Sequence, residues 1–260
     1  MSFHLTKWYG DCTTADGRCW IAYWADLRWR ALHLRYAALL HAAPGLTPNT
    51  KTSLHPGPAP AHTGDDFTWS EPSLAFHCRW IPSAPAHSEL LFTTEQGCVR
   101  WQCLAPAADA TVLAGSAQPV KGLGYLERLD ITVPPWSLPI ETLLWGRYLS
   151  DDDALVWLDW HGPQPRRLVL RRGAPVEAAH IDEAHLRLAD GTTLLCNRDL
   201  TLREGALGPN VLSAIPKLHR LLPLTLLRLH EHKWLSRASL EKEGRALSHG
   251  WAIHEVVRWP

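Results

Sequence analysis

Four ionisable residues of this chain stand where the alternation of a β-strand calls for apolar side chains: Glu127, Arg147, Asp159 and Glu255. Over residues 122–133, Leu123, Tyr125, Glu127, Leu129, Ile131 and Val133 fall on one face, because successive side chains of a strand point to opposite sides. Leu143, Trp145, Arg147 and Leu149 share a face of the following strand, and Leu155, Trp157, Asp159 and His161 a face of the one after it. In the closing run Trp251, Ile253, Glu255, Val257 and Trp259 line up, with His254 and Arg258 on the other side. An ionised group among such neighbours costs several kcal/mol unless it is paired or changes its protonation state. Two chemistries follow. Burial can hold a glutamate neutral at pH 7, the state a general acid needs; alternatively a carboxylate and Arg147 form a structural pair that fixes strand register. The pattern predicts a mostly apolar cavity containing a small cluster of ionisable groups, walled by Tyr125, Trp145, Trp157 and Trp251.

The remaining candidates are weaker. His230 and His232 project to one side of a strand, a spacing that suits two imidazole ligands, but Arg228 on the same face opposes a cation, so no metal is expected. Glu231 and Lys233 face the other way and could extend the ionisable cluster, although Lys233 reads first as a solvated strand end. The run Asp151-Asp152-Asp153 reads as a solvated hairpin turn. GxGxxG, GxxxxGK[ST] and GxSxG are all missing, so neither a nucleotide phosphate cradle nor a nucleophile elbow is present.

The elements that must position these residues are strands. Residues 18–30 read as a strand after a loose start, and 31–40 pass for either strand or helix. Residues 43–65, with five prolines, predict a long surface loop or lid. Strands follow at 67–80, 90–94 and 98–104. Residues 105–119, small and proline-containing, predict a domain boundary. Beyond the central stretch, short strands are expected at 166–172, 176–181 and 184–189, then a hairpin turned by Asp190-Gly191 into 192–200. Residues 213–222 read as a helical turn or irregular, and 225–235 and 251–259 close the chain as strands. Strands at this spacing argue for an all-β barrel or sandwich, and no unit recurs at a fixed period in the sequence.

Composition bounds the partners. The 260 residues carry 26 Lys plus Arg against 26 Asp plus Glu, with a pI near 7.3, so no global field favours nucleic acid or an anionic membrane. Fourteen tryptophans against four phenylalanines offer wide, rigid apolar faces that suit either a cavity wall or a β core. No stretch of ~18 uncharged apolar residues occurs and the N-terminal run lacks an apolar signal core, so a soluble, non-secreted protein is expected, with at most transient membrane contact. The six cysteines form no CxxC pair, which leaves reduced thiols in a cytoplasmic protein as the expectation.

The segments GLGYLE (122–127) and LLWGRY (143–148), followed by a Trp-rich strand, resemble the central signature of the lipocalin-like superfamily that includes carotenoid 1,2-hydratase (hydroxyneurosporene synthase) and AttH-like proteins. Tocopherol cyclase is a more distant likeness, with a Gly-Tyr segment and a glutamate at the place of Glu127. Residues 230–240 and 250–259 resemble the closing strands of the same group. The likeness runs over residues 101–259, and the first hundred residues share only its general character. The hydratases continue their Tyr segment with Asp and Asn where this chain reads LERLDITVPPWSLP, a departure that bears on water addition more than on the fold.

The resemblance implies an all-β fold of lipocalin/calycin-like antiparallel barrels, two in tandem over residues 1–115 and 116–260. It implies a hydrophobic substrate and no organic cofactor. It also implies a reaction in which an isolated alkene is protonated and the cation is captured by water or an internal hydroxyl. The expectation is therefore a hydratase or cyclase acting on an isoprenoid or other polyene. Glu127 or Glu255 would donate the proton, Arg147 and Asp159 would set its protonation, and tryptophan faces would steady the cation. Two rivals use the same walls: a binding protein for a hydrophobic metabolite, and a pericyclase in which no proton moves.

Overall fold

A computed structural model describes residues 3–115, 118–206 and 228–260. Contacts divide the chain into two units, Met1–Pro134 and Pro135–Pro260, each with its own antiparallel sheet. Among the described residues no helix is long and apolar enough to cross a membrane.

The first unit comprises β1 (Phe3–Thr13), β2 (Cys19–Trp29), β3 (Leu32–Ala42), β4 (Asn49–Ser53), β5 (Ala61–Thr63), β6 (Asp66–Glu71), β7 (Phe76–Pro82), β8 (His87–Thr94), β9 (Gly97–Ala114) and β10 (Val120–Ile131). Their order in the sheet is β4-β3-β2-β1-β10-β9-β7-β6-β5, with β8 also on β9. The N-terminal residues expected to be loose are in fact β1, a central strand that carries the buried Trp8 and Tyr9. Strand wins over helix for residues 32–42 because Leu39 packs in the core and Leu40 is buried on the opposite face. The proline-rich stretch holds two short strands, β4 and β5, which lie at the two ends of the sheet order, where missing N–H groups do least harm. Between them the chain is strapped to the unit's core. The indole N–H groups of Trp24 and Trp69 donate to the carbonyls of Gly57 and Pro58 at 3.0 and 3.1 Å, and the Glu71 carboxylate accepts the Gly57 N–H at 2.8 Å. The single strand expected over 67–80 is two strands, β6 and β7, parted by a 3-10 turn at Pro72–Leu74.

Residues 105–119 do not separate domains. Residues 105–114 are the end of β9, which pairs with β10, and the units part instead at Pro134/Pro135. The softness read over residues 105–119 has another cause at its start. β10 pairs with β1 in unbroken register, whereas the β9–β10 register shifts between Gly124 and Leu126 and again between Leu126 and Glu127, so the extra residues lie on β9. Pro106 sits in this bulged stretch, where a ladder N–H is not needed. The bulge changes the face that β9 presents. Ala105 and Ala108 pair with Leu126 and Gly124 and join the core, while Cys103 pairs with Glu127 and joins the opposite face.

The second unit comprises β11 (Thr142–Leu149), β12 (Ala154–His161), β13 (Arg166–Arg171), β14 (Ala174–Val176), β15 (Ala178–Ile181), β16 (His185–Leu188), β17 (Thr193–Cys196), β18 (Leu200–Ala206), β19 (His230–Lys242) and β20 (Arg245–Arg258). Its order, β14-β13-β12-β11-β20-β19-β17-β16-β15 with β18 on β19, repeats that of the first unit strand for strand. The predicted Asp190-Gly191 hairpin joins β16 and β17, with Gly191 at φ 84°, a left-handed conformation that a side chain would oppose. The expected turn at 213–222 and the first residues of the strand expected at 225–235 lie outside the described residues.

Candidate functional site

In each unit a set of buried polar and aromatic side chains lies on the sheet face opposite the core cluster. In the first unit Trp8, Trp80 and Leu126 belong to the core, while Tyr9, Tyr125, Glu127 and Cys103, also buried, alternate with it or sit beyond the bulge. In the second, Tyr148, Trp157 and Trp234 belong to the core, while Trp145, Arg147, Lys233 and Glu255 project the other way.

Glu127 is 9% exposed. The Tyr125 hydroxyl, two residues away on the same face of β10, donates to its Oε2 at 2.6 Å, and the Trp101 indole N–H donates to the same oxygen at 2.6 Å. Trp101 on β9 can reach because it pairs with Leu129 of β10 and so lies diagonal to Glu127, within the span of a large aromatic side chain. Tyr125 is held in turn by an edge-on contact with Tyr9, 5.9 Å between ring centres. Burial first, then the neighbouring Cys103 and Glu127, push the Tyr125 hydroxyl well above the usual phenol range, so it remains a donor. Trp101 was not singled out by the sequence. A buried indole needs an acceptor, but the bulged stretch that shifts Trp101 along β10 to within reach of Glu127 leaves only a proline and small residues as its mark.

In the second unit Glu255 is paired. The Lys233 ammonium lies 2.6 Å from one of its oxygens and 3.6 Å from Glu231, and Arg203 reaches Glu231 at 3.3 Å. Lys233, read as a solvated strand end, is 2% exposed, so that expectation is overturned. The register explains it: Lys233, Glu255 and Trp145 are directly opposite one another across β19, β20 and β11, and the ammonium lies 5.7 Å from the centre of the Trp145 ring. Arg147, fully buried, donates from Nη1 to the carbonyl of the half-buried Trp251 at 2.7 Å.

The other two expected site residues point elsewhere. Trp145 pairs with Leu158 and Arg147 with Val156, so Trp157 and Asp159 lie on the opposite face of the sheet from them. Asp159 is clamped at one end of β12 by Arg167, at 3.1 and 2.9 Å, and by His161 at 2.9 Å. Trp157 fills the core, packed over Gly146 and 6.4 Å from the His254 ring. A cluster joining Arg147 to Asp159 is therefore not formed, because the hairpin register puts the two alternating rows out of phase.

His254 lies in that core. The Ser236 hydroxyl accepts the Arg198 N–H at 2.9 Å and lies 2.7 Å from His254 Nε2, an arrangement in which it donates to a neutral imidazole. Burial, and secondarily the charge of Arg198, lower His254 to about 3.

Strand-for-strand equivalence places the two glutamates in the same setting. Glu127 on β10 lies opposite Tyr9 on β1, and Glu255 on β20 opposite Trp145 on β11. Each aromatic is followed by a glycine and a buried charge, Gly10-Asp11 and Gly146-Arg147. On the other side Glu127 pairs with Cys103 and Glu255 with Lys233. The frame is common to both units and the partners differ.

No protein-family model and no curated protein matches the sequence. Solved structures match the fold over almost the whole chain. CghA superposes with a TM-score of 0.60 at 11% identity, over 98% of this chain and 88% of its own. Kievitone hydratase from Nectria haematococca does so with a TM-score of 0.58 at 10% identity, over 98% and 88%. The AttH candidate from Nitrosomonas europaea gives 0.55 at 12% identity, over 98% and 92%. The all-β, lipocalin-like fold in tandem that the sequence led us to expect is the fold this chain shares with CghA, kievitone hydratase and the AttH candidate.

Proposed function

We propose that this protein is a cofactor-independent hydratase or cyclase that protonates an alkene of an isoprenoid or other polyene, with Glu127 as the proton donor. The observation that carries the reading is the setting of Glu127: a carboxyl buried among aromatic rings and held at one oxygen by Tyr125 and Trp101. Such a group can give up a proton in surroundings that shield a cation from bulk water. Glu255 suits the role less well, because an ammonium at 2.6 Å holds it as a carboxylate. The shared fold supports the reading, since one protein that has it is a hydratase by name. The free cysteines among the described residues suit a cytoplasmic enzyme.

The test begins with protein purified from its own host. Native mass spectrometry identifies any retained ligand, and turnover of that ligand or its precursor in deuterated water should place one deuterium on a product carbon. Glu127→Gln should bind the ligand and incorporate no deuterium, whereas Glu255→Gln should retain incorporation. A ligand released unchanged and unlabelled by the wild-type protein would instead show a carrier, and an isomerised but unlabelled product a pericyclase.

A further inference from the structure

We infer that Tyr125 and Trp101 are positioning residues that decide which oxygen of Glu127 carries the proton and that stabilise the carboxylate left when it departs. The inference rests on the reading of Glu127 as proton donor and goes beyond it.

Both donors meet Oε2, each at 2.6 Å. In a neutral carboxyl the carbonyl oxygen is the better acceptor and the hydroxyl oxygen the donor. Two N–H and O–H groups converging on Oε2 therefore make it the carbonyl oxygen and leave Oε1 as the O–H. The choice is built into the backbone. Tyr125 is fixed by its two-residue spacing on β10, and Trp101 by its pairing with Leu129, a register that the β9 bulges set. Neither donor can readily follow the proton to the other oxygen, since the Tyr125 side chain is fully buried and Trp101 is 2% exposed.

The same pair acts in the transfer itself. As the Oε1–H bond breaks, its hydrogen bonds to one alkene carbon through the π-electron pair, the other carbon becomes cationic, and the carboxylate takes the negative charge. Hydrogen bonds to a charged oxygen are stronger than those to a neutral one. The Tyr125 and Trp101 bonds thus tighten along the reaction coordinate, the condition under which binding energy lowers the barrier. Capture of the cation by water or a substrate hydroxyl releases a proton, which restores Glu127. In the second unit the equivalent Glu255 instead faces a full positive charge, the Lys233 ammonium at 2.6 Å, where Glu127 has two neutral donors.

Infrared difference spectroscopy on the intact protein tests this without a substrate. Subtracting the spectrum of Glu127→Gln from that of the wild type isolates the Glu127 carboxyl. We expect a protonated C=O band, lowered by its two hydrogen bonds, that moves up on Tyr125→Phe, again on Trp101→Phe, and furthest in the double variant. A residue that only packs against Glu127 without donating to it would leave the band where it is. A protonated band that stays in place in folded variants overturns the inference alone, and a carboxylate signature in the wild type overturns the proton-donor reading as well. Should Trp101→Phe fail to fold, Tyr125→Phe, which removes a single oxygen, decides the matter.

Discussion

Lys233 and His254 are buried neighbours on β19 and β20 that resolve the cost of burial in opposite ways. Lys233 keeps its charge by placing its ammonium 2.6 Å from Glu255 and 3.6 Å from Glu231, and removing one partner of such a pair costs about 3–5 kcal/mol because the other is stranded. His254 gives up its charge: it is 3% exposed, sits between aromatic rings and is held neutral, lowered from 6.5 to about 3. The unfolded chain takes up a proton on this side chain below about 6.5, while the folded chain does not until about 3. The stabilisation His254 confers is therefore complete above 6.5 and drains away as pH falls toward 3, by about 1.4 kcal/mol per pH unit in that window. The urea midpoint should fall over this interval, and His254→Gln, which keeps an acceptor for Ser236 but cannot be charged, should fall less steeply. Equal slopes in the two proteins would show that His254 is not buried neutral. The sequence marked His254 only as lying opposite Glu255, because one strand tells which residues share a face but not which face is the core.

At the scale of elements, the Trp145-Gly146-Arg147 segment owes its form to two demands met on opposite faces of β11. Trp145 and Arg147 belong to the face with Glu255, and Gly146 belongs to the core, where a Cβ would lie 2.2 Å from Cζ2 of Trp157 and 2.7 Å from Cβ of His254. The indole occupies the space a side chain at Gly146 would need. Gly146→Ala should cost about 1–3 kcal/mol or more through overpacking and change the near-ultraviolet circular dichroism as Trp157 moves; unchanged stability would mean the barrel yields easily. The glycine of this segment is thus a packing residue even though the motif reads as a functional one. The bulge in β9 works differently. It shifts the β9–β10 register twice and in return lets Ala105 join Ala108 and Ala110 in the core while Trp101 and Cys103 stay on the Glu127 face. No alternation rule applied to an unbroken strand can place both sets.

At the scale of the whole chain, two units with identical strand order stand in tandem although the sequence shows no repeat. The equivalence follows from topology: in each, the long strand that closes the unit returns to pair with its first, β10 with β1 and β20 with β11. This has a direct consequence for where the chain can be cut. A fragment of residues 1–134 should fold with β-type circular dichroism and a cooperative transition, whereas 1–115 should not, because it lacks the strand between β1 and β9. Cooperative folding of the shorter fragment would contradict the sheet order described here.

The sequence alone determined most of the later strands, the all-β class and the singular character of Glu127, Arg147 and Glu255, because each depends on local alternation and on residue types that a buried face cannot accept without cause, and its motifs carried the lipocalin-like resemblance. Tertiary structure alone decided the partners. Register set Arg147 apart from Asp159, the bulge brought Trp101 to Glu127, and cross-strand pairing turned Lys233 inward to Glu255. Those outcomes depend on one-residue shifts between strands far apart in the chain, and a one-residue shift exchanges the two faces of a strand.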